Sequence, residues 1–197
     1  EATYVKHHKK KIAFLFASMR HFAQKLVEEG IQVRYVQLDD KNNTGSFDAE
    51  VKRALNEIKV NRLVVTEPGE YRVKSIFQSW HNTLKCPVEI RPDSRFLAST
   101  EDFANWANGK KQLRMEFFYR EMRKKYHILM DEDGKPIGGQ WNYDKENRKP
   151  PKQGMKFPKR ISHEKSSITL DILELVEKKF NDHFGDLNPF HFAVTRE

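Results

Sequence analysis

Hydrophobic positions in the first part of the chain alternate between helical and strand-like spacing. Between residues 1 and 29, apolar side chains recur every three or four positions and Gly30 follows them, which predicts one long amphipathic helix ending at that glycine. A β-branched and aromatic run at residues 33–38 predicts a strand. Asp48 is expected to cap a second helix, and the apolar run at residues 63–65 is typical of a buried parallel strand.

The same strand-and-helix unit then repeats. Glu67, Pro68 and Gly69 form a turn into a predicted helix, and residues 88–90 between two prolines predict another short strand. The side chains expected to face inward on the helix are Tyr71, Val73, Ile76, Phe77 and Trp80. This alternation favours parallel strands joined by helical crossovers, so the predicted fold is α/β, a doubly wound, Rossmann-like parallel sheet with flanking helices.

Helices and a long irregular stretch follow. Ser99 and Asp102 have the spacing of a capping box, and residues 113–125 predict a strongly basic helix. Residues 131–165 contain many turn-forming residues, show no sustained period and exceed the usual loop length, which predicts a linker. Helical spacing returns at residues 167–180. We therefore expect an α/β domain at residues 1–130, a linker at 131–165 and the start of a helical region at 166–197.

Composition limits the class of protein. Hydrophobic residues make up 38% of the chain and charged residues 32%, which favours a soluble folded protein, and no apolar run of about 18 residues suggests a membrane span. The single cysteine, Cys86, excludes an internal disulfide or a thiolate cluster within these residues and favours a reducing cytoplasm. The initial sequence EATYVKHHKKK lacks the apolar stretch of a secretory signal.

A net charge of +8 favours an anionic partner such as nucleic acid, although a solvated basic surface explains the charge equally well. The phosphate-binding motifs GxxxxGK[ST] and GxGxxG do not occur, and the turn TEPGEY gives only weak support for a ligand site at the end of a strand. The eight histidines lack zinc-site spacing and no serine lies in a GxSxG motif. We therefore expect no metal site and no hydrolytic site in this chain.

Two patterns are candidates for binding. The first is a helical stripe of Glu1, Tyr4, His8, Lys11 and Leu15, which would suit a polar heteroaromatic ligand, although such stripes are more often partly solvated helix faces. The second mixes cations with aromatic rings. Its members are Arg114, Phe117, Phe118, Tyr119, Arg120, Arg123, Lys124, Lys125, Trp141, Asn142, Tyr143, Arg148 and Lys149. Cations neutralise phosphates and rings stack on bases, but an amphipathic helix with Phe117 and Phe118 in the core and its cations in water also explains the helical part.

Seven strings carry a family resemblance: EATYVKHHKKKIAF, MRHFA, TEPGEYRV, RFLAST, MEFFYREMRKK, GGQWNYDKENRKP and FAVTRE. They resemble the photolyase-related proteins of bacteria, the iron–sulfur branch of the cryptochrome and (6-4) photolyase family. The resemblance covers nearly the whole chain, and the strings occur in the family's order.

The resemblance implies a protein of two halves. The amino-terminal α/β half would bind an antenna pigment, 6,7-dimethyl-8-ribityllumazine, and the helical half would bind FAD and a 4Fe-4S cluster. The full-length protein would then be a DNA photolyase, a carbon–carbon lyase, with no catalytic residue in this chain. The family's first two strands precede EATY and lie in the middle of its sheet, so we expect the strand at 33–38 and the strand at 63–66 not to pair directly with each other.

The resemblance also gives the candidate residues specific roles. In the family the pigment lies against the start of the first long helix, so the expected pigment-binding residues are Glu1, Tyr4, His7, His8, Lys11 and Leu15. Arg148 is similar to a linker arginine that the family uses near damaged DNA, and with Lys149 it is the expected DNA contact.

Three functions remain open on the sequence. The chain is expected to be the antenna-binding portion of a light-dependent repair enzyme for UV-damaged DNA, with (6-4) photoproducts as the lesion. The alternatives are a portion of a cryptochrome-like blue-light photoreceptor and a small basic α/β nucleic-acid-binding protein. The sequence does not indicate an oligomeric state.

Overall fold

A computed structural model describes residues 2–159 and 161–196, which form two compact units. One unit comprises the described residues of 1–43 and 154–197, and the other comprises residues 44–153. Within the described ranges the elements are α1 Lys9–Glu28, α2 Phe47–Glu57, β1 Leu63–Thr66, α3 Tyr71–Thr83, β2 Val88–Arg91, α4 Thr100–Ala107, α5 Met115–Tyr126, α6 Asp144–Asn147 and α7 Ser167–Lys179.

The first unit is built on the packing of α1 against α7. Ala13 and Ala17 lie one helical turn apart and are completely buried, because their small side chains let the two helices approach closely. Larger apolar side chains fill the rest of this core. They are Ile12, Ile172, Val176, Phe180 and Phe190.

Both ends of α1 have a local cause. The prediction of a helix from residue 1 is wrong for its first turns, since residues 2–6 form turns and the helix begins at Lys9 after His8 caps it. The predicted end is confirmed. Gly30 has a positive φ of 82°, and its N–H donates to the Val27 carbonyl at 2.9 Å, which is the usual way a glycine ends a helix.

The predicted strand at residues 33–38 is absent. These residues belong to neither strand of the described sheet, and Gln37 makes only isolated bonds there, such as that from Asn43 Nδ2 to its carbonyl at 2.9 Å. A β-branched sequence becomes a strand only when a neighbouring strand pairs with its backbone, so the residue types alone were insufficient.

The second unit contains one β–α–β arrangement. β1 and β2 pair in parallel with Leu63 opposite Val88 and Thr66 opposite Arg91, and α3 connects them. The two strands predicted near residues 63–65 and 88–90, the helix between them and their parallel pairing are therefore confirmed. Within the described residues β1 pairs with β2 alone, so the sheet has two strands. The fold is therefore a mixed α/β arrangement with a small sheet.

Two details of this unit correct the sequence prediction. Asp48 does not cap α2, since the hydroxyl of Ser46 accepts from the Ala49 N–H at 3.1 Å. The Asp48 carboxylate instead accepts from the indole N–H of Trp80 at 3.2 Å. Tyr71 does not face inward and is 83% exposed, whereas Trp80 is buried as predicted.

Candidate functional site

The start of α1 holds the residues expected to bind a pigment. Glu1 lies outside the described residues. Tyr4 is in the turns before α1 and is 72% exposed, so the predicted helical stripe does not continue to it. Lys11 and Leu15 lie one turn apart on α1. His7 precedes the His8 cap, and its Nδ1 lies 3.2 Å from Lys11 Nζ.

His8 faces a different neighbour from His7. Its Nδ1 accepts from the Lys10 N–H at 3.0 Å, which caps α1, and its ring meets Phe184 edge-on at 5.4 Å. Gly185 lies directly against this ring, because a Cβ at position 185 would overlap the imidazole. The structure thus gives His8 a role in beginning the helix.

The last turn of α7 and the chain after it hold this helix start in place. The Lys6 ammonium pairs with Asp182 at 2.9 Å, and the buried Lys9 pairs with Glu177 at 3.0 Å. His183 Nδ1 donates to the His7 carbonyl at 2.9 Å. Sequence reasoning missed this support, since the partners are about 170 positions apart and nothing in the local pattern connects them.

One polar atom at this site has no partner among the described residues. His7 Nε2 is buried and makes no hydrogen bond within that part of the chain. Leu15, one turn beyond Lys11 on α1, is 44% exposed and provides apolar surface. A face with an unpartnered ring nitrogen, an ammonium and an aliphatic side chain fits a polar heteroaromatic ring.

The basic helix α5 is not a simple solvated face. Arg123 is 5% exposed, and its guanidinium donates to the carbonyls of Ile128, Leu129 and Trp141, with the Ile128 bond at 3.0 Å and the Trp141 bond at 3.4 Å. The expectation that the helix cations lie in water is therefore wrong for Arg123. This side chain binds the backbone that follows α5, and no sequence motif signalled that role.

Trp141 brings the first half of the predicted linker onto α5. The guanidinium carbons of Arg120 and Arg123 each lie 5.4 Å from its ring centre, and Lys124 Nζ lies 5.7 Å from it. Asn142 Nδ2 donates to Glu116 at 2.7 Å. Residues 128–142 are thus attached to the helix at several points.

The remaining aromatic side chains of the basic group divide between core and surface. Phe118 is buried against Phe103 and Trp106, with ring centres 5.2 and 5.1 Å away, whereas Phe117 is 45% exposed. The interpretation that both phenylalanines lie in the core is therefore correct for Phe118 and wrong for Phe117. The exposed ring is available to a ligand.

The two expected DNA contacts follow the short helix α6. Arg148 is the C-cap of α6 and is exposed, while Lys149 is exposed and pairs with Glu146. Exposed ion pairs contribute little, so a phosphate can replace Glu146 as the partner of Lys149 at small cost.

The turn after β1 lies at the edge of the sheet where ligands bind in open α/β folds. Glu67, Pro68 and Gly69 line a cleft of about 590 Å³ together with residues 92–100 that follow β2. The Glu67 carboxylate is already paired with Lys74. The described residues contain no group of three or more histidine, cysteine, aspartate or glutamate side chains arranged to hold a metal ion.

Comparison with known proteins identifies the family. The family model for deoxyribodipyrimidine photo-lyase-related proteins matches residues 1–192. The chain belongs to this family. One protein similar to this chain is the (6-4) photolyase of Agrobacterium fabrum. The two are 50% identical over 196 residues, which cover 100% of this chain and 38% of that protein.

A second relative is more distant. The uncharacterized protein R852 of Acanthamoeba polyphaga mimivirus is 26% identical over 142 residues, which covers 70% of this chain and 69% of that protein. The family resemblance carried by the seven strings is therefore confirmed. None of the helices in the described ranges is long and apolar enough to span a bilayer.

Proposed function

We propose that this chain is the antenna-pigment-binding portion of a light-dependent, photolyase-related flavoprotein that repairs (6-4) photoproducts in UV-damaged DNA. The observation that carries the proposal is the 50% identity, over the whole chain, to a protein named (6-4) photolyase. The chain spans 38% of that relative, and FAD and a 4Fe-4S cluster are proposed for parts of the protein outside this chain. One cysteine, Cys86, supplies a single thiolate where a cluster needs several.

The β1–α3–β2 unit is proposed to belong to a doubly wound, Rossmann-like sheet. Its parallel pairing supports this proposal, because parallel strands need crossovers and occur almost only in α/β proteins. A sheet of two strands is marginal without further strands or helix packing. The division into an α/β domain at 1–130, a linker at 131–165 and a helical region from 166 stays a prediction, and the compact units divide elsewhere, at residues 43 and 153.

The lumazine pigment is proposed to lie against the face of His7, Lys11 and Leu15. The buried, unpartnered Nε2 of His7 supports this placement, since it can exchange a hydrogen bond with a ring or ribityl group. His8 would act through the helix cap, and Tyr4 would contact the pigment from the preceding turns. Glu1 stays a predicted contact that lies outside the described residues. When bound, the pigment absorbs light and passes excitation to FAD, so these residues position it and exclude water.

Arg148 and Lys149 are proposed to contact the DNA backbone. Both are exposed at the end of α6, and charge-assisted bonds to phosphate are the chemistry that arginine and lysine provide. The attachment of Trp141 and Asn142 to α5 supports the proposal, because it anchors the chain six residues before Arg148 and so limits the entropy that this short segment can lose on binding. With one cysteine, the chain is proposed to work in the reducing cytoplasm.

The full-length protein tests this function directly. We expect purified protein to show flavin and lumazine absorption and to repair a (6-4) photoproduct under blue light. A colourless protein contradicts the flavoprotein proposal, and a pigmented protein without repair favours the photoreceptor alternative.

A substitution at Leu15 tests the pigment placement. Leu15→Trp should fill the space beside His7 and Lys11 and abolish lumazine fluorescence without unfolding the protein, because the side chain is 44% exposed. Leu170→Trp on α7 is the matched control, since Leu170 is 53% exposed in the same unit and outside the proposed site. Unchanged pigment fluorescence in Leu15→Trp would contradict the placement.

A further inference from the structure

A second cleft in residues 44–153 contains none of the residues proposed above to bind the pigment or the DNA backbone. We call it the Trp106–Trp141 cleft, and it encloses about 430 Å³. Its lining consists of Trp106, Lys110, Phe117, Arg120, Glu121, Lys124 and Trp141. Three aromatic rings and three cations thus face one space that contains a single carboxylate.

Two of the three cations of this cleft, Lys110 and Lys124, are weakly held by the protein, whereas Arg120 pairs with Glu116. Lys110 makes no ion pair with any residue of the described ranges, and its ammonium lies 5.0 Å above the ring of Trp106. Lys124 pairs with Glu121 at 3.4 Å, and both side chains are about half exposed. Exposed pairs of this kind contribute little, so both ammonium groups can move to an incoming anion.

The indole rings are held more firmly than the cations. Trp106 packs against Phe103 at 5.6 Å and Phe118 at 5.1 Å between ring centres. The Trp141 backbone is anchored by its carbonyl, which accepts from the buried Arg123 at 3.4 Å, and its ring lies 5.4 Å from the guanidinium carbons of Arg120 and Arg123. Rings that are already in position can stack against a flat ligand with little loss of entropy. The lysines that lie near the rings can then move to the negative charge of that ligand.

We propose that the Trp106–Trp141 cleft binds single-stranded DNA, with bases stacking on the two indoles and phosphates contacting Lys110 and Lys124. The inference rests on the proposed function, which makes DNA the partner. An acidic peptide would satisfy the cations and leave the indole faces unused. In a duplex, each base face is covered by the next base pair, so an unpaired strand fits the cleft better.

The test uses the full-length protein and a fluorescently labelled oligothymidylate titrated at several salt concentrations. We expect the double variant Lys110→Ala/Lys124→Ala to bind on the order of ten-fold more weakly. The slope of log affinity against log salt concentration should decrease in magnitude by about 1.4, since each lost contact with a single-strand phosphate lowers it by about 0.7. Lys111→Ala is the matched control, because the neighbouring lysine has the same charge and does not line the cleft.

Stacking is tested separately from charge. Trp106→Leu should weaken binding roughly ten-fold with an unchanged salt dependence, because it removes a ring and no cation. Trp106→Phe retains a ring and the core contact with Phe118, so it should recover most of the affinity and keeps the test valid if the leucine variant does not fold.

The inference fails if the double variant binds oligothymidylate as the unsubstituted protein does, or if Lys111→Ala weakens binding equally. It is also overturned if Trp106→Phe and Trp106→Leu both bind normally. Pigment absorption and light-dependent repair of a lesion in duplex DNA are measured on the same preparations. Loss of oligothymidylate binding with both signals retained supports the cleft, whereas a colourless, repair-inactive protein that still binds through the cleft contradicts only the proposed function.

Discussion

At the scale of single residues, a glycine decides how α1 begins. Gly185 has a φ of 82° and lies against the His8 ring that caps the helix. Any side chain at position 185 must therefore displace the cap as well as adopt a left-handed backbone. The sequence marks neither requirement, because His8 and Gly185 are far apart in the chain.

Gly185→Ala should lower the free energy of unfolding by about 2–3 kcal/mol, from backbone strain and loss of the His8 cap. Urea denaturation measures the change. Gly30→Ala is the matched control, since Gly30 has the same φ of 82° and open space where a Cβ would lie. The control should lose only about 1 kcal/mol. Equal losses in both variants would show that His8 does not depend on Gly185.

Arg123 is the second residue whose role depends on its contacts. Arg123→Ala should lower the free energy of unfolding by about 3 kcal/mol, because three carbonyls lose a charged donor in a buried site. It should also speed proteolysis within residues 128–142. Arg123→Lys should recover little, since the three carbonyls bond three different guanidinium nitrogens and a single ammonium nitrogen cannot occupy all three positions.

An exposed arginine of the same unit provides the comparison. Arg95 has a side chain that is 81% exposed and pairs with Asp93, so Arg95→Ala should leave stability and proteolysis nearly unchanged. If Arg123→Ala behaves like Arg95→Ala, the buried bonds do not hold the segment after α5.

At the scale of elements, the capping box of α4 was predicted and is confirmed. The Ser99 hydroxyl accepts from the Asp102 N–H at 3.0 Å, and the Asp102 carboxylate accepts from the Ser99 N–H at 2.9 Å. Lys125 on α5 adds an ion pair to the same carboxylate at 2.7 Å, which the sequence did not predict. A local motif thus also joins two helices.

The pH dependence of α4 follows from this carboxylate. The hydrogen bond from Lys125, followed by those from Ser99, lowers the pKa of Asp102 to about 2 from its usual 3.8. Because the folded pKa lies below the unfolded one, the stabilisation is complete above pH 4 and is lost as the pH falls toward 2. Lys125→Met should raise the pKa most, as measured by NMR titration of the carboxyl carbon.

Ser99→Ala tests the other contribution to the same pKa. It removes the hydroxyl contact and leaves the Lys125 pair, so the pKa of Asp102 should rise less than in Lys125→Met. A titration near 3.8 in the unsubstituted protein would contradict the capping geometry.

At the scale of the whole molecule, the net charge of +8 favours the proposed association with DNA. Arg148→Ala/Lys149→Ala should weaken binding to duplex DNA and lower the slope of log affinity against log salt by about 1.8, since each duplex phosphate contact contributes about 0.9. Fluorescence anisotropy over a range of salt concentrations measures the slope.

A control separates specific contacts from general charge. Lys59→Ala/Lys135→Ala removes two exposed cations elsewhere in residues 44–153 and should change the slope much less. Equal slopes for the two double variants would show that Arg148 and Lys149 act only through the overall field.

The sequence by itself determined the features that depend on neighbours within a few residues. Local backbone and side-chain geometry specifies several features, which the sequence therefore predicted. They are the helical period of α3, the strands β1 and β2, the capping box at Ser99 and the end of α1 at Gly30. The family was also recognisable from its strings, as the match to residues 1–192 confirmed.

Only the tertiary structure decided which partners these elements have. Residues 33–38 have strand-like side chains and pair with no strand of the described residues, and His8 caps a helix that the sequence pattern began earlier. Arg123 resembled any surface cation until its carbonyl partners were known. The helical period predicted that Trp80 is buried, but it did not identify the partners of His8 or Arg123. Those partners depend on how separate segments pack together, which a local pattern does not specify.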